Sequence, residues 1–475
     1  MSATIFTVKR SEVEGRLDPG FYNPKYFEVF KKKNVNWSRL TSITESLKHP
    51  PEYKRVFAES GYQLIRSQNV RPTGIDLSEN PVYLSKEVVD NCYSIFPKKG
   101  DILVVRSGVN AGDVAVVEKD FINTTIGADT LLLNVTSEVL PKFVQIYFYT
   151  DVGRNQLNRY ITGATNKHIN SFSLKRVYFP KIDLNTQQQC IRIFEISLSQ
   201  KQQKQQKSKE LLDSIDTYLL SELGITLPRK DNSLSKRIFT TKFSEVSGGR
   251  LDPKFYSTES KSIKKSVEDS KYETKLLKEF IVQSVAGDWG YDEDENVSNI
   301  TKCLVIRSTE FDNDYNLKLD NTRAKYRLIP NLKLEKIDLK ENDLLIEKSG
   351  GSEDQPVGRV AIITKDILEA SNLCFSNFIH KIRVENIDSE YLFCYLKTAH
   401  SIRLTDTMFS QTNGLQNLLM TTYFNQRIPL PPLPKQKEIA EHIRNIRSQA
   451  KQLQSEGEQI MQDAKTQIEK MILGE

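Results

Sequence analysis

Long hydrophobic runs are missing from this sequence. Nothing approaches the roughly 20 consecutive apolar residues of a membrane span, and the opening MSATIFTVKR has no apolar stretch of a secretory leader. Cysteine is scarce and scattered. The five (Cys92, Cys190, Cys303, Cys374, Cys394) are odd in number and never fall in a CxxC spacing, which argues against a disulfide scaffold or zinc site and for a reducing cytoplasm. The five histidines (His49, His168, His380, His400, His442) form no spaced pair. Catalytic signatures are missing too: there is no GxxxxGK[ST], no HExxH and no GxSxG. Two near misses occur. Asn23-Pro24-Lys25-Tyr26 has the outline of an amino-methylation motif, but Lys25 stands where a second proline belongs, so it reads as a turn. Asp338-Leu339-Lys340 has the D-x-K form of a nuclease metal site, but no Pro-Asp precedes it, so it reads as a solvated face.

What is present is ordinary in amount. A chain of 475 residues, 38% hydrophobic and 27% charged, is soluble and globular in composition and too long for one core. A formal charge of +6 permits a polyanionic partner without requiring one.

The informative feature is that the chain is written twice. SEVEGRLDPGFY at 11–22 returns as SEVSGGRLDPKFY at 244–256. Leu64-Ile65-Arg66-Ser67 is answered by Val305-Ile306-Arg307-Ser308, and Arg106-Ser107-Gly108 by Lys348-Ser349-Gly350. Gly112 to Val117 returns as Gly358 to Ile363, and Val177-Tyr178-Phe179-Pro180 as Ile428-Pro429-Leu430-Pro431. Arg16 beside Asp18, and Arg250 beside Asp252, read as local salt bridges. In the first copy, β-like runs at Tyr62–Arg66, Asp101–Arg106, Val114–Glu118 and Thr130–Val135 lie between Gly, Asn and Pro punctuation, with a helical stretch at Lys142–Asn158.

Each copy runs into a long helix without Gly or Pro breaks at its start. The first spans Thr186–Leu223, with Thr186 and Gln189 fitting a capping box. Its seam is Ile191, Phe194, Leu198, Lys201, Gln205, Ser208, Leu212, Ile215 and Leu219, apolar at both ends and polar in the middle. The second spans Lys435–Met471, with Pro434 in a first-turn position. Neither helix can bury its stripe alone, so the two are expected to pair antiparallel. Lys201, Lys204 and Lys207 are expected on outward faces, toward a partner protein or nucleic acid. The fold class expected is α/β (α+β): two similar globular domains, each a mixed sheet or small barrel, separated by two antiparallel coiled-coil helices in a pseudo-two-fold repeat. The boundaries are 1–182 for the first domain, 183–224 for the central helix, 225–236 for a linker, 237–433 for the second domain and 434–475 for the last helix.

Two divergent modules at a set separation suit the recognition of two different sites on one duplex. The sequence also resembles the specificity subunits of type I restriction–modification systems. The resemblance rests on Leu345-Ile346-Glu347-Lys348-Ser349-Gly350-Gly351-Ser352 with Gln355 to Val360, on Ile428 to Gln436 opening the last helix, and on Ala286-Gly287-Asp288-Trp289-Gly290. The first copy departs from it, with Phe179-Pro180-Lys181-Ile182 at the corresponding point. The resemblance implies two target-recognition domains on double-stranded DNA, with the paired helices as the ruler between half-sites. It implies no catalysis and no cofactor in the chain itself. Its partners would be two methyltransferase subunits using S-adenosylmethionine, and translocase-nuclease restriction subunits using ATP and Mg. The rivals are a stand-alone methyltransferase or nuclease and a coiled-coil scaffold that binds no DNA.

Base and phosphate contacts call for Arg, Lys, Asn, Gln, Ser and Thr on loops. In the first copy the candidates are Lys54, Arg55, Arg66, Ser67, Gln68, Asn69, Arg106, Ser107, Asn110, Thr162, Thr165, Asn166, Lys167 and His168. In the second they are Arg307, Ser308, Thr309, Lys348, Ser349, Ser352, Gln411, Thr412 and Asn413.

Overall fold

A computed structural model of the chain describes residues 6–10, 13, 17–26, 35–52, 56–78, 80–91, 94–163, 165–229, 233, 238–246, 253–295, 297–312, 317–319, 325–352, 354–412 and 414–475. The chain divides into two compact units: Met1–Gln206 with Leu453–Glu475, and Lys207–Gln452. Each unit therefore takes a globular part and a share of both long helices.

The first unit is built on an antiparallel sheet ordered Thr44–Lys48, Thr130–Val135, Ile102–Val105, Val114–Val116. Strand Ile102–Val105 is buried at every position. Its alternation serves two cores: Ile102 and Val104 face Phe143 and Ile146, while Leu103 and Val105 face Ile65, Val70 and Ile126. A second sheet runs Tyr83–Leu84, Tyr62–Ile65, Thr124–Ile126, the first pair antiparallel and the second parallel.

The second unit repeats this plan. Its four strands are Ile281–Ala286, Ile379–Val384, Leu344–Glu347 and Val360–Ile362, and its three-stranded sheet is Tyr326–Pro330, Ile300–Ile306, Leu373–Phe375, again antiparallel then parallel. Leu344 and Ile346 face one core, Leu345 the other. The duplication seen in the residues is thus a duplication of topology. Backbone conformation repeats as well: Gly112 (φ 87°) and Gly358 (φ 106°) occupy the same left-handed turn, as do Gly108 (φ 100°) and Gly350 (φ 122°).

The long helices span Leu184–Leu223 and Leu433–Leu473. In the first unit Lys201 pairs with Glu458 at 2.8 Å and Lys204 with Glu456 at 2.5 Å. In the second, Ser208 Oγ donates to the Ala450 carbonyl at 3.0 Å and Lys435 pairs with Glu222 at 2.8 Å. Partner numbers fall as helix numbers rise, so the pairing within each unit is antiparallel, as expected. Lys201 and Lys204 do not point outward, contrary to expectation: they cross to the other helix and complete the polar middle of the seam. Lys207 is exposed and Gln205, placed in the seam by its spacing, is exposed too. Gly457 faces Lys201, where a Cβ would meet Lys201 Cγ at 3.4 Å, an ordinary van der Waals contact.

Two local readings change. The central helix starts earlier than Thr186, and its cap is Asp183, whose carboxylate accepts from Thr186 N at 2.9 Å and Thr186 Oγ1 at 2.7 Å. The stretch Lys142–Asn158 is two helices, Pro141–Tyr149 and Asp151–Tyr160. Thr150 is extended and caps the second by accepting from Gly153 N at 3.2 Å. Gly153 is required there, because a Cβ would fall 2.0 Å from the Tyr147 carbonyl oxygen.

Arg16, Arg250, Asp252 and half of the expected linker lie outside the described residues; Asp18 accepts from Phe21 N at 3.0 Å and caps a short turn. Asn23 and Lys25 form a turn of their own, Lys25 N donating to Asn23 Oδ1 at 3.2 Å. Asp338 stands on a solvated face, its side chain 41% exposed, and is paired there with Arg383 at 2.9 Å and Lys340 at 2.8 Å. Among the described residues no helix is long and apolar enough to cross a membrane.

Candidate nucleic-acid interface

In each unit the strand that serves both cores delivers a loop to one place. In the first unit that loop is Arg106–Asn110. Arg106 N and Ser107 N both donate to the Asp129 carbonyl, at 2.7 and 3.4 Å. Gly108 N donates to Lys167 O at 3.0 Å and Ile169 N to Arg106 O at 2.8 Å, which ties in the loop Thr162–His168. Ser67 completes the group: a Cβ on Gly108 would lie 3.8 Å from Ser67 Oγ. Three of the stretches named from the sequence therefore converge.

The second unit does the same with different side chains. Lys348 N and Ser349 N donate to the Phe378 carbonyl at 2.7 and 3.1 Å, and Leu418 N donates to Lys348 O at 2.7 Å. A Cβ on Gly350 would lie 3.9 Å from Ser308 Oγ. Here the returning chain is a regular hairpin, Phe409–Thr412 with Leu415–Leu418, paired to Ser349–Gly350. In the first unit the counterpart is a pair of isolated bridges, Ser107 to His168 and Thr162 to His168.

Side-chain placement sorts the candidates. Gln68, Thr165, Asn166, Lys167 and His168 are exposed, and Arg66, Ser67, Arg106, Asn110 and Thr162 are half-buried at the same edge. Thr162 Oγ1 and His168 Nε2 share a hydrogen bond of 3.1 Å that closes the loop. Ser107 is buried. Asn69 is a builder rather than a reader: it is buried, its Oδ1 accepts from Arg66 N at 2.9 Å and its Nδ2 donates to Asp76 O at 2.8 Å. In the second unit Thr309, Ser352 and Gln411 are exposed, while Ser308 and Lys348 are half-buried. Ser349 is buried and donates to Asn417 Oδ1 at 2.8 Å, which fixes the hairpin and removes it from the open face. Arg307 is held by Glu310 at 2.7 Å. Lys54, Arg55 and Asn413 lie outside the described residues, as does the side chain of Thr412.

The structure adds residues that the sequence did not single out. His49 is exposed and its Nε2 lies 3.0 Å from the Ala128 carbonyl, beneath Arg106. Glu310 does in the second unit what Asn69 does in the first, accepting from Arg307 N at 2.7 Å. Its different identity hid the equivalence. His380 lies opposite Ile346 on strand Ile379–Val384, its Nε2 2.7 Å from Ser284 Oγ. Burial, and then the Lys348 ammonium, hold its imidazole down to about 4, so it is neutral at pH 7.

Residues 288–460, which contain the second of these platforms, match the family model described as the type I restriction modification DNA specificity domain. Three solved structures are similar to the chain. One, described by the structural basis of complex assembly and conformational transition of the type I R-M system, matches with a TM-score of 0.51 at 12% identity, covering 93% of this chain and 98% of that one. The type I S subunit from M. genitalium matches with a TM-score of 0.41 at 16% identity over 92% of this chain and 96% of that one. The HsdS subunit from Thermoanaerobacter tengcongensis gives 0.37 at 14% identity, over 93% and 97%. Among curated proteins none matches the sequence.

Proposed function

We propose that each unit reads one half of an asymmetric, bipartite site on double-stranded DNA, and that the chain acts in the cytoplasm as the recognition part of a larger assembly. Its partners are two methyltransferase subunits, which methylate adenine with S-adenosylmethionine, and restriction subunits, which cut unmethylated DNA using ATP and Mg. The chain itself binds none of these cofactors. The observation that carries the reading is the pair of equivalent loop platforms with unlike side chains, Arg106, Ser67 and Lys167 on one and Lys348, Ser308 and Gln411 on the other. Equal scaffolds with unequal hydrogen-bonding groups are what two different half-sites require, because bases are told apart by the donors and acceptors offered to their edges.

The test is an exchange of modules. Replacing residues 1–182 with those of a relative of different specificity, in cells that carry the partner subunits, is expected to change one half of the methylated motif and leave the other. Methylome sequencing reads both halves at once. A motif changed in both halves, or in neither, overturns the proposal.

A further inference from the structure

The second unit holds an open recess of about 590 Å³ beside its loop platform, lined by Ser308, Thr309, Asp312, Glu347, Ser352 and Arg359 among others. Its framework is one guanidinium. Arg359 donates through Nε and Nη2 to the two oxygens of Glu347, both at 2.8 Å, through Nη1 to the Phe311 carbonyl at 3.0 Å, and through Nη2 to the Ser308 carbonyl at 2.9 Å. The two side chains are 11% and 1% exposed. One planar group therefore joins the end of strand Leu344–Glu347 to the loop that carries Ser308 and Thr309.

The first unit has the same backbone here without the pair. Glu347 N donates to Arg359 O at 2.8 Å just as Val105 N donates to Asp113 O at 2.8 Å, so Val105 and Asp113 stand at the equivalent positions. Asp113 bonds instead to Arg154 at 2.9 Å.

Charge decides what the recess can accept. Arg359 is matched by Glu347, and the Asp312 carboxylate in the lining is matched by Lys318 at 3.3 Å. Among the described residues the lining charges are thus balanced, which leaves little net attraction for a phosphate. Hydroxyl groups beside a carboxylate suit the polar edge of a base pair, which offers donors and acceptors but no charge. We infer that Arg359, paired with Glu347, is the positioning residue for base discrimination in the second half-site: it holds the Ser308–Phe311 loop as a preformed slot for a base edge. Lys348, at the neighbouring strand end, serves the phosphates. This rests on the half-site reading above.

The test uses the full chain in the complex that co-purifies with it, selecting from a random duplex library and titrating salt. Arg359→Lys keeps the charge but loses the fork. Ser308→Ala removes a lining hydroxyl and leaves the pair in place. Both are expected to lower discrimination in the second half-site about tenfold, with the first half-site and the salt slope unchanged. Lys348→Ala is expected to do the converse, lowering the salt slope and keeping the base preference. Should Arg359→Lys fail to fold, judged by loss of the second unit's thermal transition, Ser308→Ala carries the test alone. Folded variants that keep the second half-site preference, or that lose preference equally in both half-sites, overturn the inference. A wild-type complex with no preference at either half-site overturns the half-site reading itself.

Discussion

The two units share a backbone plan and differ in what they do with charge. In both, an aspartate closes the turn before the central strand: Asp101 accepts from Lys98 N at 2.7 Å, and Asp343 from Lys340 N at 2.8 Å. In the first unit the rest of that carboxylate meets a neutral amide, Asn134 Nδ2 at 2.5 Å. In the second it meets two cations, Lys381 at 3.1 Å and Arg383 at 2.8 Å, with the Lys381 and Asp343 side chains fully buried. The loop platforms differ in the same direction. Arg66 in the first unit donates to a backbone carbonyl, Asn80 O at 2.6 Å, whereas Arg307 and Arg359 in the second are each bound by a buried glutamate. A duplicated scaffold can thus keep its turns and strand register while its charges are redistributed, since backbone hydrogen bonds set the first and side chains the second.

The largest expected effect breaks this comparison at its buried charges. Asp343→Ala leaves Lys381 without its carboxylate in a dry site and is expected to cost about 3–5 kcal/mol, enough to unfold the second unit ahead of the first. Asp101→Ala removes hydrogen bonds to neutral groups and is expected to cost about 1–2 kcal/mol. Calorimetry that follows both units checks the difference; equal losses would show that the buried ion pairs add nothing to the shared turn.

A smaller effect compares the platforms themselves. Arg106→Ala and Lys348→Ala are each expected to lower the slope of log affinity against log salt by about 0.9, because each removes one phosphate contact and its released counterion. Binding of the assembled complex across a salt series measures this. An unchanged slope for one of them would assign that side chain to base reading.

The smallest effect is a pH dependence confined to the second unit. Burial first, and Lys348 next, hold His380 at about 4, and burial holds His400 at about 4 as well. The unfolded chain takes up these protons near pH 6.5, so stability is full above that value and declines as the pH falls from about 6.5 toward 4. His380→Leu, which installs the residue found at the equivalent Leu131, is expected to flatten part of the decline. A thermal-midpoint series across that window gives the answer, and an unaltered profile would remove His380 from the account.

Much of the architecture was legible because it rests on local pattern. The repeat, strand Thr130–Val135 and both long helices follow from residue identities and spacing alone. What escaped did so for identifiable reasons. Helix spacing told which residues form the seam but not what faces its polar middle, so Lys201 and Lys204 were placed outward until Glu458 and Glu456 met them. The break at Thr150 depends on Gly153 touching a carbonyl from the preceding helix, a contact that no periodicity encodes. At the platforms, residue type marked Asn69 and Ser349 as readers. Burial makes them supports, and a residue's type does not state whether its hydrogen bonds go to neighbours or to a ligand.

The sequence by itself determined that there are two copies, that the first holds strands at Tyr62–Ile65, Ile102–Val105, Val114–Val116 and Thr130–Val135, and that both long helices need a partner. These are consequences of hydrophobic periodicity and of matching residues, which act at short range. Only the tertiary structure decided which distant loops meet at each platform, that Asn69 and Glu310 do one job with different chemistry, and that Glu347 and Arg359 pair where Val105 and Asp113 stand in the other unit. Those outcomes depend on bonds between segments far apart in the chain, where distance and burial choose the partner.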